Sequence, residues 1–392
     1  MSKITCILFD PIEVRVQLYP LTLTRAISDI RLGIRTLKEQ WEDYLADTCF
    51  VVTESYLQPK YVALQQSDLY LFINSSFVPD TNLCEAIKQL EPESELVYKN
   101  EWVAKLSISN SFSQNITEKF ISYTQDVVRI QRPWDIFSKN DEILKREFNR
   151  LNSFGNQSQI PEGVTLIGSK ENVYIDSSAI VMPSVVLNAQ KGPIYIGKDC
   201  EVMEGTVIRG PFAMIDHAAT KIGTKIYGAT TLDPHVKVGG EINNSVIFGY
   251  SNKGHDGFLG NSVIGEWCNL GADTNNSNLK NNYSEVKLYS YFEKKEIGTG
   301  LQFCGLIMGD HSKSGINTMF NTGTVVGVCT NIYGSDFPPK HIPSFSWGTA
   351  HKLEEFLFDK AIEVAVRMME RRSIQLSTEE QAILLHIYQS RN

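Results

Sequence analysis

The chain has 392 residues, 21% of them charged, and a formal net charge of −8 at pH 7. A length of this order exceeds what one hydrophobic core usually organises, so two domains are expected. The mildly negative balance argues against nucleic acid or an anionic membrane as the main partner. Seven scattered cysteines with no Cys-x-x-Cys pair, no secretory signal and no apolar run long enough to span a bilayer fit a reducing cytoplasm.

Residues 1–135 read as an α/β layer. Apolar runs at Ile4–Phe9, Phe50–Val52, Leu69–Ile73 and Glu95–Tyr98 alternate with helix-like segments at Ser28–Leu45 and Asn82–Leu90. Arg25 and the stretch Asp29 to Gly33 can bind an anion at a helix start or form surface salt bridges. The pattern changes at Arg132-Pro133-Trp134. Residues 136–160 form an arm and linker, with a connecting helix at Asp141–Leu151 and the polar run Asn152–Ile160.

From 161 to 337 the chain keeps a six-residue rhythm. Steps of six from Ile196 fall on Val202, Ile208, Met214, Thr220, Ile226, Leu232 and Val238, then after an interruption on Phe258, Ile264 and Leu270. The rhythm returns as Met308, Ser314, Phe320, Val326 and Ile332. No α-helix holds a period of six. Three hexads make one triangular coil of a parallel β-helix, with the apolar residue of each hexad inside, which predicts roughly nine or ten coils between about 160 and 335. Pro338-Pro339 and Pro343 are expected to stop the repeat. Residues 338–392 then carry amphipathic helices at Lys352–Met369 and Thr378–Tyr388, which cap the last coil or a neighbouring subunit.

The interruption, Gly249 to Gly260, places His255 in a glycine-rich excursion. An imidazole titrates near neutral pH and can take a proton from an amine attacking a thioester. Gly254 and Gly257 let the backbone turn and leave room for a substrate, and the amides from Asn269 to Asn278 can face a developing oxyanion. The plainer alternatives are a solvated loop histidine and asparagines stacked in structural ladders. His217 and His235, eighteen residues apart, should lie one above the other. They form a corner ladder, or share a metal as in a zinc-dependent β-helix hydratase of the γ-carbonic anhydrase type. A third alternative is a β-helix that is a scaffold without catalysis.

The run His255-Asp-Gly-Phe-Leu-Gly260, with Ile264-Gly265, Asn269-Leu-Gly-Ala272 and Asn278, resembles the acetyltransferase half of the bifunctional GlmU-type enzymes. More closely, the chain resembles the divergent GlmU-like sugar nucleotidyltransferases of Bacteroidetes. The resemblance implies a reduced nucleotidyltransferase-like α/β domain, a helical arm, a left-handed parallel β-helix and C-terminal helices, assembled as a homotrimer. It implies acetyl-CoA as co-substrate and glucosamine 1-phosphate as acceptor, with UTP and Mg2+ engaged only if the first domain is active, giving UDP-N-acetylglucosamine. His255 falls on the family's base and Phe258 on a sugar-contacting Tyr, the ring kept and the hydroxyl gone. Asn269 falls on a substrate-binding Asn and Asn278 on an Asn at the acetyl-CoA site. Without gaps, the phosphate-gripping Arg and Lys fall on Lys225 and Asn243, one coil apart; Lys253 or Arg209 can compensate for the lost cation. Nearer the start, Arg15 and Pro20 match the nucleotide-cradling segment in outline, with Arg25 beyond. This chain has no glycine in that loop and no lysine after Pro20.

Overall fold

In the computed structural model, residues 3–112, 119–152 and 159–391 are described; residues 153–158 of the expected linker lie outside them. The chain divides into two compact units: Met1–Leu18, Thr24–Ile30 and Arg35–Arg132 form one, and Tyr19–Leu23, Arg31–Ile34 and Pro133–Asn392 the other.

The first unit is a six-stranded mixed sheet. Its strands are β1 (Ile4–Phe9), β2 (Cys49–Val52), β3 (Leu69–Asn74), β4 (Ser94–Tyr98), β5 (Glu101–Ser107) and β6 (Phe120–Ser122), in the order β2-β1-β3-β5-β4-β6. β1 lies parallel to both β2 and β3, and β5 runs antiparallel to β3 and β4. The apolar faces close on Leu8, Trp41, Ile73, Phe77, Leu96 and Val103, all fully buried. Its helices are α1 (Ile12–Arg15), α2 (Leu37–Leu45) and α3 (Thr81–Lys88). The α-helix expected over Ser28–Leu45 is thus confined to the second half of that range. Thr36 starts it, accepting from Glu39 N while the Glu39 carboxylate accepts from Thr36 N, a reciprocal cap that fixes where helix can begin.

In the second unit α4 (Pro133–Asn152) starts eight residues before the expected Asp141. Proline is suited to a first turn, where its missing N–H costs nothing. Ile136, Phe137, Asn140, Ile143, Leu144, Glu147 and Phe148 recur every three or four residues and are buried. Asn140 donates to Ala229 O (3.0 Å) and Thr231 Oγ1 (3.1 Å), and the Arg31–Asp233 ion pair fastens the same region.

The β-helix has three faces of stacked parallel strands. The first face has nine strands, from Val173–Ile175 to His341–Ile342, and its inward residues include Ile196, Met214, Leu232, Ile264, Met308 and Val326. The second runs from Ile180–Val181 through Val202, Thr220, Val238 and Leu270 to Ser346–Gly348. The third carries Leu187, Ile208, Ile226, Ile242 and Leu259 inward, as far as Phe258–Gly260. One inward residue per hexad fills the prism, as the rhythm predicts, but the register departs from it. Ile226 pairs with Ile242 after only sixteen residues, and Val238 with Lys253 after fifteen. After the excursion the inward residue is Leu259, 1% exposed, and Phe258 points outward. Finally, the repeat runs past Pro338-Pro339 and Pro343, because neither His341–Ile342 nor Ser346–Gly348 needs an N–H from those prolines.

The segment Leu353–Glu355, expected within a helix, is instead a strand antiparallel to Ser346–Gly348, and it covers the free edge of the last coil. Helices α5 (Phe358–Glu370) and α6 (Thr378–Ser390) follow, with Phe358 and Tyr388 packed on Phe345.

Asn276 occupies an inward position on the third face, where the ladder from Phe258–Gly260 would otherwise break. Its Oδ1 accepts from Gly260 N (2.9 Å) and its Nδ2 donates to Gly260 O (3.0 Å), so a side-chain amide stands in for a strand. Asn276→Ala leaves the buried Gly260 N without its acceptor and Gly260 O with Ser262 Oγ (2.8 Å) as its remaining donor. It should cost roughly 1–3 kcal/mol in urea unfolding; a change within error would show that water replaces the amide.

Candidate functional site

The excursion begins where the prism holds a charge. Lys253 is 1% exposed and takes the inward place between Val238 and Leu270. Its ammonium donates to the carbonyls of His255 (2.8 Å), Asp256 (3.1 Å) and Gly239 (3.4 Å). Desolvation pushes this amine down to about 8, against the pull of Asp256 and Asp273. Lys253 therefore faces inward and fixes the loop; it is not placed to replace a phosphate-binding cation, and the sequence carries no sign of this. Gly257, with φ +113°, turns the chain back against the Thr274 carbonyl, where a Cβ has no space. Gly254 has open space where a side chain would project.

His255 is exposed in the single chain and stands where two clefts meet. One, of about 550 Å³, runs along the second face to the end of α5, and its walls include Lys237, Tyr250, Asn252, Trp267 and Asn269. The other, about 600 Å³, is bounded by Met203, Ile222, Gly240, Asp256 and Asp273. Gly254 and Lys221 border both. Among the described residues the N–H groups of Gly254, His255 and Asp256 have no acceptor within the chain, which leaves them available to an anion.

The other expected residues divide between faces. Asn269 lies in the first cleft with His255, in register with Asn252 of the preceding coil. Phe258 is on the third face, in line with Glu241 and Lys225. Asn243 is on that face too, but opposite Tyr227 and Gly260, so it does not stack on Lys225 as an eighteen-residue coil would require. The sixteen-residue coil moves them two places out of line. Asn278 donates to Asn261 Oδ1 (2.8 Å), and Asn275 Oδ1 accepts from Phe258 N (2.8 Å), so the asparagines bind neighbouring coils.

His217 and His235 do lie one above the other. Their rings are stacked, 4.7 Å apart and 8° from parallel, and the stack continues through Tyr250 to Trp267 at 4.1 Å. All four are corner residues with φ near +60°. Ring faces meet here, not nitrogen lone pairs, and no group of three His, Cys, Asp or Glu among the described residues could hold a metal ion.

In the first unit the crevice at the carboxyl ends of β1, β2 and β3, where sheets of this kind receive ligands, is filled by the chain's own groups. The fully buried Arg15 pairs with Asp10 (3.2 Å) and donates to Arg25 O (2.8 Å) and Tyr56 Oη (3.0 Å). Asp10 also accepts from Thr53 Oγ1 (2.8 Å) and Ile27 N (3.1 Å). Burial raises the Asp10 carboxyl, and Arg15 opposes that. Arg25 is 4% exposed.

Residues 6–154 match the family described as sugar nucleotidyl transferase. The chain is 31% identical over 145 residues to a bifunctional sugar-1-phosphate nucleotidylyltransferase/acetyltransferase of Sulfurisphaera tokodaii, covering 36% of each. It is 30% identical over 242 residues to the bifunctional protein GlmU of Methanocaldococcus jannaschii, 62% of this chain and 51% of that protein. An uncharacterized acetyltransferase of Escherichia coli, YaiX, is 23% identical over 175 residues, 44% of this chain and 75% of its own length. The chain thus spans about a third to a half of the first two relatives.

The Lys253 ammonium has a pH signature. In the unfolded chain the amine titrates near its ordinary 10.5 and in the folded chain near 8, so between those values the unfolded state holds the extra proton. Stability then rises with pH across that window. Lys253→Met has no such proton. The stability difference between wild type and variant should move in favour of the wild type from pH 8 to 10.5 in urea unfolding, and a flat difference would contradict the buried charge.

Proposed function

We propose that the chain is an acetyl-CoA-dependent N-acetyltransferase acting on an amino sugar phosphate, glucosamine 1-phosphate in the first instance, as a cytoplasmic homotrimer. The observation that carries this reading is the His255 imidazole, held by Lys253 through its own carbonyl at the meeting of two clefts. The nucleotidylyltransferase/acetyltransferase and GlmU names of the similar proteins support it. The described helices include none long and apolar enough to cross a membrane.

In this mechanism the acceptor's amine nitrogen attacks the thioester carbonyl carbon and His255 takes the proton that nitrogen releases. The N–H groups of Gly254, His255 and Asp256 face the oxygen as it becomes negative. The C–S bond then breaks, and coenzyme A leaves as the thiol by taking the proton that His255 holds. Asn269 contacts the acceptor within the cleft; Phe258, Lys225 and Asn243 offer a second track for it along the third face, and Asn278 is the contact proposed for coenzyme A. A second copy of the chain supplies the missing wall, which accounts for Ile222 and Ile316 standing 73% and 68% exposed beside the clefts.

His255→Ala should lower thiol release from acetyl-CoA with glucosamine 1-phosphate by roughly two to four orders of magnitude. An unchanged rate would remove the mechanism. Uridylyl transfer is the second activity proposed, supported by the match over residues 6–154. Arg15 and Arg25 are its proposed nucleotide contacts, reached by opening the Asp10 ion pair; Mg2+ brought in with the nucleotide would shield the phosphates. UTP, Mg2+ and N-acetylglucosamine 1-phosphate should then release pyrophosphate, and no release above the rate without protein would leave the first unit without that activity.

A further inference from the structure

The cleft along the second face carries more positive charge than its surroundings balance. Lys221 and Lys237 come from successive coils of the β-helix, and Arg371 and Arg372 from the end of α5. Among the described residues none of the four forms an ion pair, in a chain whose net charge is −8. Lys237 is held below its ordinary value by burial first, then by Arg372, Lys221 and Arg371, with Glu201 pulling the other way. Cations crowded this closely repel one another unless an anion enters. The C-terminal dipole of α5 favours the two arginines where they are, but it does nothing for the strand lysines.

We propose that these four side chains clamp the phosphate monoester of the acceptor sugar. The inference rests on the acyl-transfer reading and supplies the phosphate site that Lys225 and Asn243, out of line on another face, do not form. Asn252 and Asn269, register partners in adjacent coils, present amides to sugar hydroxyls along the same wall. The amine of such a sugar then extends towards His255, which borders the same cleft. A guanidinium suits a phosphate because its planar donors engage two oxygens at once. The clamp therefore joins the C-terminal extension to the β-helix in one site, and a chain lacking α5 has half of it.

The test uses the full chain and the double variant Lys237→Gln/Arg372→Gln, with Lys221→Gln as a further, single-charge variant. Thermal unfolding first establishes that each variant folds. Binding of inorganic phosphate by calorimetry should weaken roughly tenfold or more in the double variant, as expected for losing two charged hydrogen bonds. The KM for glucosamine 1-phosphate, relative to that for glucosamine, should rise by roughly 10- to 100-fold. Phosphate binding and the KM ratio both unchanged in every folded variant overturns the proposal. A rise confined to the KM for acetyl-CoA, and absent with acetyl-pantetheine, also overturns it, because the cations then serve the phosphates of the carrier. If no sugar is acetylated but phosphate binding still falls in the variants, the anion site stands and the acyl-transfer reading fails.

Discussion

A three-sided prism admits one inward side chain per face per coil, and the second unit follows from that constraint. Hydrogen bonds between coils hold the strands, and the inward column excludes water, so any polar residue taken inside must find partners there. Thr220 meets Thr206, Ser314 meets Thr274, Asn276 meets Gly260, and Lys253 meets three carbonyls. The first three repair the wall. The fourth is different, because two of its three carbonyls, those of His255 and Asp256, belong to a segment that has left the wall, so the scaffold's interior fixes the backbone at His255.

The hexad rhythm is legible in the sequence because burial imposes it directly: an inward column is a column of apolar letters. Coil length is not legible, since a coil of sixteen or fifteen residues loses its spare residues at a corner, where turn-forming residues look alike. That is why counting by six puts Phe258 inside in place of Leu259, and why counting by eighteen aligns Lys225 with Asn243 when the coils do not. The end of the repeat escapes the sequence for a related reason. Proline removes a donor, yet strands of two residues have few donors to lose. Single residues are harder still to read. Arg15 is identifiable as a basic residue beside the first strand, but only the fold shows Asp10 already paired with it. The cation cluster is invisible in the sequence, because Lys221 and Lys237 lie far along the chain from Arg371 and Arg372.

The two units handle buried charge in contrasting ways. In the first, Asp10 and Arg15 neutralise each other within the crevice, and Thr53, Tyr56 and backbone groups add further hydrogen bonds. Such a pair is expensive to separate because each partner would remain desolvated alone. In the second, the charges at the cleft have not been matched by the chain itself. One arrangement makes an interior stable, and the other leaves an electrostatic demand facing solvent.

The inward lysine also restricts where such a loop can be transplanted. Side chains alternate across a strand, so sliding the excursion by a single residue would turn the ammonium outward, take its donor from the His255 carbonyl and leave Asp256 O with Asp273 N alone. Grafting residues 254–257 onto a neighbouring coil would fail for the same reason unless the residue two before the histidine travelled with it. For anyone building on this scaffold, the smallest portable cassette begins at Lys253.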